Sequence, residues 1–121
     1  MAATTLGILR NEKDLVSFTA GQTILEEGQV GDTMYVVTEG EVDVLVHNRL
    51  VETVGEGGFF GEMALIDDQP RSAKVVAKTD CQLAPVSQKR FTFLVQNTPY
   101  FAIRVMQVMA ERLRHQNVLV E

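Results

Sequence analysis

GGFFGEMALIDDQPRSAKV, residues 57–75, is the stretch of this 121-residue chain that most restricts its fold and its chemistry. Its glycines allow backbone N–H groups to approach a ligand closely. Residues 62–65 favour one helical turn, because they are good helix formers without β-branching. The unpaired N–H groups at the start of such a turn suit an anion. The stretch therefore predicts a glycine-rich loop, a helical turn and then a strand, with an anion site at the loop.

Arg71 is the cation that the same stretch places beside the helical turn. In a strand that opens at Arg71, alternation puts Arg71, Ala73 and Val75 on the apolar face. A guanidinium on that face needs an anion, because an unpaired buried charge is costly. Two anions are available, Glu62 within the chain or a phosphate held at the turn that begins at Gly61. The residues alone leave both alternatives open.

The order Phe60-Gly61-Glu62-Met63-Ala64-Leu65-Ile66, a short spacer and then Arg71-Ser72-Ala73 resembles the phosphate-binding cassette of the cyclic nucleotide-binding domain family. That family includes protein kinase A regulatory subunits, cyclic nucleotide-gated channels and the bacterial catabolite activator protein. The resemblance extends from about Phe18 to about Val118. It implies a sensor for a cyclic nucleotide, with cAMP as the preferred ligand and cGMP as the alternative.

The resemblance also implies which residues hold the ligand. The cyclic phosphate would be bound by Arg71, Ser72, Gly61 and Ala64, and the ribose 2′-hydroxyl by Glu62. The base would lie against a further set of side chains, which are Met63, Leu65, Ala73, Gln116 and Asn117. Ser72 leaves the base open. Kinase-type relatives place alanine here with cAMP and threonine with cGMP, whereas bacterial relatives use a serine here for the phosphate.

The rest of the chain alternates short apolar stretches with turn residues, which predicts a mainly β fold. We expect a short N-terminal segment over residues 1–14 with a helical turn, and a cyclic nucleotide-binding domain over residues 15–121. Within it, a jelly roll (a double-stranded β-helix barrel) covers residues 15–87, and helices cover residues 88–96 and 99–117. Ser87 is the predicted N-cap of the first helix. Pro85 predicts an edge strand or a bulge, and Cys81 a buried position.

Composition and charge predict a single cytoplasmic domain. The net charge of -5 argues against a surface for nucleic acid or anionic membrane. One cysteine suits a reducing compartment, and no apolar run approaches the length of a membrane span. Two histidines, His47 and His115, do not make a metal set. We therefore expect no metal, cofactor or catalytic residue, and we expect four basic side chains near the C-terminus, Lys89, Arg90, Arg112 and Arg114, to be solvated.

The second predicted helix, over residues 99–117, is apolar on two sides. One side is a heptad-like seam formed by Ala102, Met106, Met109, Leu113, Gln116 and Val120. Val105 and Val108 add a second stripe. A wide face packed on the barrel explains this pattern, and so does a homodimer through the helix. The sequence leaves the two explanations open.

The predicted mechanism is a population shift in which ligand capture moves this helix over the base. The output would be an unknown effector protein. Catabolite-activator relatives continue into a helix-turn-helix domain, whereas this sequence stops at Glu121, so direct DNA binding is not expected. Two alternatives remain. One is a protein-interaction scaffold without ligand, in which Arg71 and Glu62 pair with each other. The other is a cupin-like metalloenzyme, which the histidine count disfavours.

Overall fold

The computed structural model describes residues 14–67 and 69–120, with side chains described as far as His115 in the last helix. The predicted N-terminal segment therefore lies outside the described residues, apart from Asp14. The strands are β1 Val16–Phe18, β2 Thr23–Leu25, β3 Thr33–Glu39, β4 Val42–Val46, β5 Arg49–Val54, β6 Phe59–Phe60, β7 Lys74–Ala77 and β8 Cys81–Ser87. The helices in this part are α1 Met63–Ile66, α2 Gln88–Asn97 and α3 Pro99–Val120.

Two antiparallel four-stranded sheets make the barrel. Their strand orders are β1-β8-β3-β6 and β2-β7-β4-β5. Of the strand neighbours in these sheets, only β4 and β5 follow each other in the chain, and a two-residue turn at His47 and Asn48 joins them with both residues at positive φ. The predicted mainly β jelly roll with C-terminal helices is confirmed.

The core has two parts, because alternate residues of a strand face opposite sides of a sheet. Adjacent residues of β6 show the division. Phe59 packs under the helices with Phe101 and Val105, whereas Phe60 packs between the sheets with Val37 and Val75. The first cluster attaches α2 and α3 to the barrel, and the second holds the two sheets together.

The C-terminal helices begin where their sequence signals predicted. The Ser87 hydroxyl accepts a hydrogen bond from the Arg90 amide at 3.2 Å, which caps α2. Both helices extend beyond their predicted ends, α2 to Asn97 and α3 to Val120. None of the helices in the described residues has the length and hydrophobicity needed to cross a membrane.

Only part of the predicted seam of α3 faces the barrel. Val105, Val108 and Met109 pack on the core beside Phe101. Met106 and Leu113 are 59% and 61% exposed. The second predicted stripe is therefore the main packing face, and the outer half of the seam is open.

Two strand predictions need correction. The strand predicted to open at Arg71 begins at Lys74, so Arg71 lies in the loop before β7, although Val75 and Ala77 are buried as alternation required. Pro85 lies in β8, an interior strand of its sheet, opposite Tyr35 of β3. It is tolerated there because β1 pairs with β8 only from Cys81 to Leu83, which leaves Pro85 with a strand on one side. Cys81 is buried as predicted, and burial raises the pKa of its thiol.

Candidate ligand-binding site

Arg71 is held between two loops by hydrogen bonds to backbone atoms. Its Nη1 donates to the Gly61 carbonyl at 3.1 Å, and its Nη2 donates to the Thr33 carbonyl at 2.8 Å. Its own main chain is tied to the β2–β3 loop, since Arg71 N donates to Gln29 O at 2.7 Å and Gly28 N donates to Arg71 O at 2.8 Å. These bonds fix the half-buried guanidinium beside the start of α1.

Two glycines make room for that guanidinium. A Cβ on Gly31 would lie closer to Arg71 Nη2 than real contacts allow. A Cβ on Gly61 would lie 2.9 Å from Nη1, and Gly61 also has φ of +80°. Gly31 is not among the glycines with positive φ, so the close approach of Arg71 is what requires a glycine there. The structure thus places Gly61 and Arg71 together, as the cassette predicted.

Among the described residues, no carboxylate contacts the guanidinium of Arg71 directly. The guanidinium donates to two carbonyl oxygens, and no carboxylate in the described part of the chain lies within ion-pair distance. Burial lowers the pKa of Arg71, while Tyr35, Asp32 and Glu62 oppose that change from farther away. An arginine nevertheless stays charged in proteins. The Arg71–Glu62 ion pair, one of the two alternatives that the sequence left open, is not formed in the structure.

Glu62 instead pairs with the last helix. It is 6% exposed, and its Oε1 accepts from Arg112 Nη1 at 3.0 Å. Arg112 also donates from Nε to Glu52 Oε1 at 2.9 Å and from Nη2 to Glu52 Oε2 at 3.3 Å. Its Nη2 donates in addition to the Phe59 carbonyl, and its Cζ lies 5.1 Å from the centre of the Phe59 ring. One guanidinium thus joins α3 to β5, β6 and the cassette.

Arg112 is the functional candidate that sequence reasoning missed. It was predicted to be solvated together with Arg114, and only Arg114 is exposed. The signal was present in the spacing, because Arg112 follows Phe101, Val105 and Val108 at helical intervals of four, three and four residues. A cation in register with a buried stripe requires an anion on the facing surface.

The other predicted residues are distributed unevenly around the cassette. Ser72 and Met63 are exposed, and Ala73 is half-buried. Leu65 is buried in the cluster under the helices, where it joins α1 to them. The Ala64 amide donates to Gly61 O at 3.3 Å, a long bond. Gln116 and Asn117 belong to α3, but their side chains lie outside the described part of the structure.

The two histidines are exposed, and each contacts a neighbouring segment of the chain. His47 accompanies Glu27, with Nδ1 3.3 Å from a carboxylate oxygen. His115 Nε2 lies 3.1 Å from the Val51 carbonyl on β5. Across residues 14–67 and 69–120, no three side chains of His, Cys, Asp or Glu are arranged so that they could hold a metal ion.

The half-buried guanidinium of Arg71 therefore lies between Gly31 and Gly61, within a jelly roll in which the neighbouring Glu62 is buried. A family model described as "Cyclic nucleotide-binding domain" matches residues 15–98, which is most of the chain. The chain belongs to the cyclic nucleotide-binding domain family.

Solved structures agree with this assignment. The catabolite activator protein of Thermus thermophilus is similar with 26% identity and a TM-score of 0.81, over 97% of this chain and 57% of that one. PfPKA-R, solved with cAMP bound, is similar with 25% identity and a TM-score of 0.80, over 98% of this chain and 45% of that one. The EAL enzyme Bd1971 is similar with 35% identity and a TM-score of 0.66, over 86% of this chain and 97% of that one. The chain therefore spans about half the length of the first two.

Proposed function

We propose that this domain is a sensor that binds a cyclic nucleotide, with cAMP preferred, through the turn from Gly61 to Arg71. The observation that carries the proposal is the Arg71 guanidinium, whose hydrogen bonds go to the neutral carbonyls of Gly61 and Thr33. Within the described residues this cation has no carboxylate partner, so a cyclic phosphate would supply its anion, and a planar fork of donors suits phosphate oxygens. Exposed Ser72 follows directly and adds a hydroxyl donor to the same group.

Glu62 is the proposed acceptor for the ribose 2′-hydroxyl. Among the described residues, the hydrogen bond that Arg112 donates to this carboxylate goes to Oε1, and we propose Oε2 as the acceptor for the ligand. Because Arg112 comes from α3, the ribose site and the position of this helix are linked through one ion pair. Ligand capture would then favour the conformation in which α3 covers the base, as a population shift requires. Gln116 and Asn117 in the same helix are the proposed base contacts.

The output of such a sensor is a conformational change that another domain or protein reads. Members of this family are typically regulatory, and we propose that this domain has no chemistry of its own. The similar structures come from an activator protein and from an EAL enzyme. The fold therefore does not identify the effector, and we propose only that an effector protein exists. We also propose that the domain is cytoplasmic.

The proposal includes a homodimer through α3. Ile103, Met106 and Leu113 are exposed and recur along one side of the helix. A parallel copy of the same helix would cover them as in a coiled coil. Sedimentation of the wild type against Met106→Lys tests this point, because a charge at the centre of the seam should shift a dimer to monomer. An unchanged monomeric mass in both proteins would contradict it.

Calorimetric titration of the purified chain with cAMP and with cGMP, after removal of any nucleotide that copurifies, tests the function. We expect saturable binding of one nucleotide per chain, with a lower dissociation constant for cAMP than for cGMP. If neither nucleotide binds and neither raises the melting temperature, the proposed sensor function is wrong. The protein-interaction scaffold would then be the better hypothesis, although its expected Arg71–Glu62 pair is not formed.

A further inference from the structure

Two turns of the same construction flank β2, and each ends in a glutamine. The main-chain amide of that glutamine donates to the carbonyl of the first residue, at 3.0 Å in residues 19–22 and at 3.3 Å in residues 26–29. Its side-chain Oε1 accepts from the amide of the first residue, at 3.1 Å for Gln22 and at 3.2 Å for Gln29. The third residue of each turn is a glycine with φ of +89°, which suits a type II turn. A glutamine side chain therefore closes both turns.

Both turns hold residues 71–77, the segment that contains β7 and runs antiparallel to β2. The glycine amide of the first turn donates to Ala77 O at 2.7 Å, and Ala77 N donates to Gln22 O at 2.9 Å. The glycine amide of the second turn donates to Arg71 O at 2.8 Å, and Arg71 N donates to Gln29 O at 2.7 Å. The two turns thus hold opposite ends of one segment with the same pair of bonds, and only the second turn holds a residue of the candidate site.

The shape of the second turn depends on hydrogen bonds rather than on packing, because residues 26–30 are all exposed. The chain just beyond it contacts the guanidinium of Arg71 as well. Thr33 O accepts from Nη2 at 2.8 Å, and Gly31 leaves the space in which Nη2 lies. The main chain and the side chain of Arg71 are therefore both placed by the connection between β2 and β3.

We infer that Gln29 is a positioning residue for Arg71. Its side chain closes the turn whose carbonyl and glycine amide fix the main chain of Arg71, and small shifts of a binding group weaken its contact with a ligand. This inference rests on the proposed function, in which Arg71 binds the cyclic phosphate. Glu27 in the same turn accepts from the His47 amide at 3.1 Å. The turn therefore stays attached to the barrel when Gln29 is changed, and only its closure is lost.

The test compares Gln29→Met with Gln22→Met by calorimetric titration with cAMP. Methionine is unbranched and lacks the amide oxygen, and both positions are exposed, so the two changes remove the same bond from the same kind of turn. The midpoint of urea unfolding should fall equally in both variants. The dissociation constant for cAMP should rise about threefold to tenfold in Gln29→Met, as expected for one neutral hydrogen bond. In Gln22→Met it should change by less than about twofold.

Hydrogen exchange of the main-chain amides, followed by NMR without nucleotide, separates positioning from a general loss of stability. In Gln29→Met the Arg71 amide should exchange faster than in the wild type, while the Ala77 amide keeps its rate. In Gln22→Met the Ala77 amide should exchange faster and the Arg71 amide should keep its rate. An equal increase at both amides in Gln29→Met would overturn the positioning role.

The failure of this inference can be told apart from the failure of the proposed function. If the wild type binds neither cAMP nor cGMP, the proposed function is wrong and this inference with it. If the wild type binds and Gln29→Met binds as tightly as Gln22→Met, the function stands and the positioning role is overturned. An Arg71 amide as well protected in Gln29→Met as in the wild type would also overturn it.

Discussion

The phosphate end and the ribose end of the candidate site are built from different kinds of contact. At the phosphate end, Arg71 is fixed by backbone carbonyls and by the absence of side chains on Gly31 and Gly61. At the ribose end, Glu62 is fixed by a side chain from α3, fifty residues away in sequence. The first end is built from the barrel alone, whereas the second also uses a side chain of α3.

In the proposed sensor, this difference would separate ligand capture from the response of α3. The phosphate end can remain formed while α3 moves, because none of its hydrogen bonds involves that helix. The proposed ribose end is tied to the helix, since moving α3 would take Arg112 from Glu52 and Glu62 at once. Mutations at the two ends should therefore have different consequences, one mainly on affinity and the other mainly on stability and helix position.

Arg71→Ala should give the largest effect on binding. Removing a buried charged partner costs about 2–5 kcal/mol, which is roughly thirtyfold to several thousandfold in the dissociation constant. Calorimetry with cAMP measures it, and Lys78→Ala, which removes an exposed cation just after β7, is the control. Nearly equal affinity for Arg71→Ala and wild type would show that the phosphate binds elsewhere.

Arg112→Ala should give the largest effect on stability. It leaves Glu62 buried without its partner, and removing one partner of a buried pair costs about 3–5 kcal/mol of the free energy of unfolding. Urea unfolding measures the loss. Arg114→Ala, an exposed change two residues along the same helix, should stay within about 0.5 kcal/mol. If the two variants unfold alike, the ion pairs do not hold α3.

Gly31→Ala should weaken binding with little loss of stability. Its Cβ would push Arg71 Nη2 from its place, and the loss of one charge-assisted hydrogen bond corresponds to about tenfold in affinity. Gly55→Ala is the matched control, because no atom lies within 4 Å of the Cβ it would add. Wild-type affinity in Gly31→Ala would mean that the guanidinium need not be held where the structure places it.

The same contrast explains how much the sequence could predict. The cassette, the jelly roll and the cap at Ser87 depend on local order, because residue type, turn and alternation lie within a few positions of one another. The partner of Glu62 could not be predicted in that way. Arg71 was the nearest cation in the sequence, and only the docking of α3 brings Arg112 closer. The strand start at Lys74 was missed because alternation continues into the loop at Arg71 and hides the boundary.

His115→Ala should give the smallest effect on stability, and it tests which contact holds α3 along β5. His115 Nε2 is 3.1 Å from the Val51 carbonyl, so the histidine must donate there, and the contact is exposed. Its loss should cost about 0.5–1 kcal/mol of stability, and the affinity for cAMP should change less than it does in Arg112→Ala. His115→Gln, which retains a donor, is the control in the same urea experiment. A loss as large as that of Arg112→Ala would show that α3 is held along β5 by the Val51 contact rather than by the shared guanidinium.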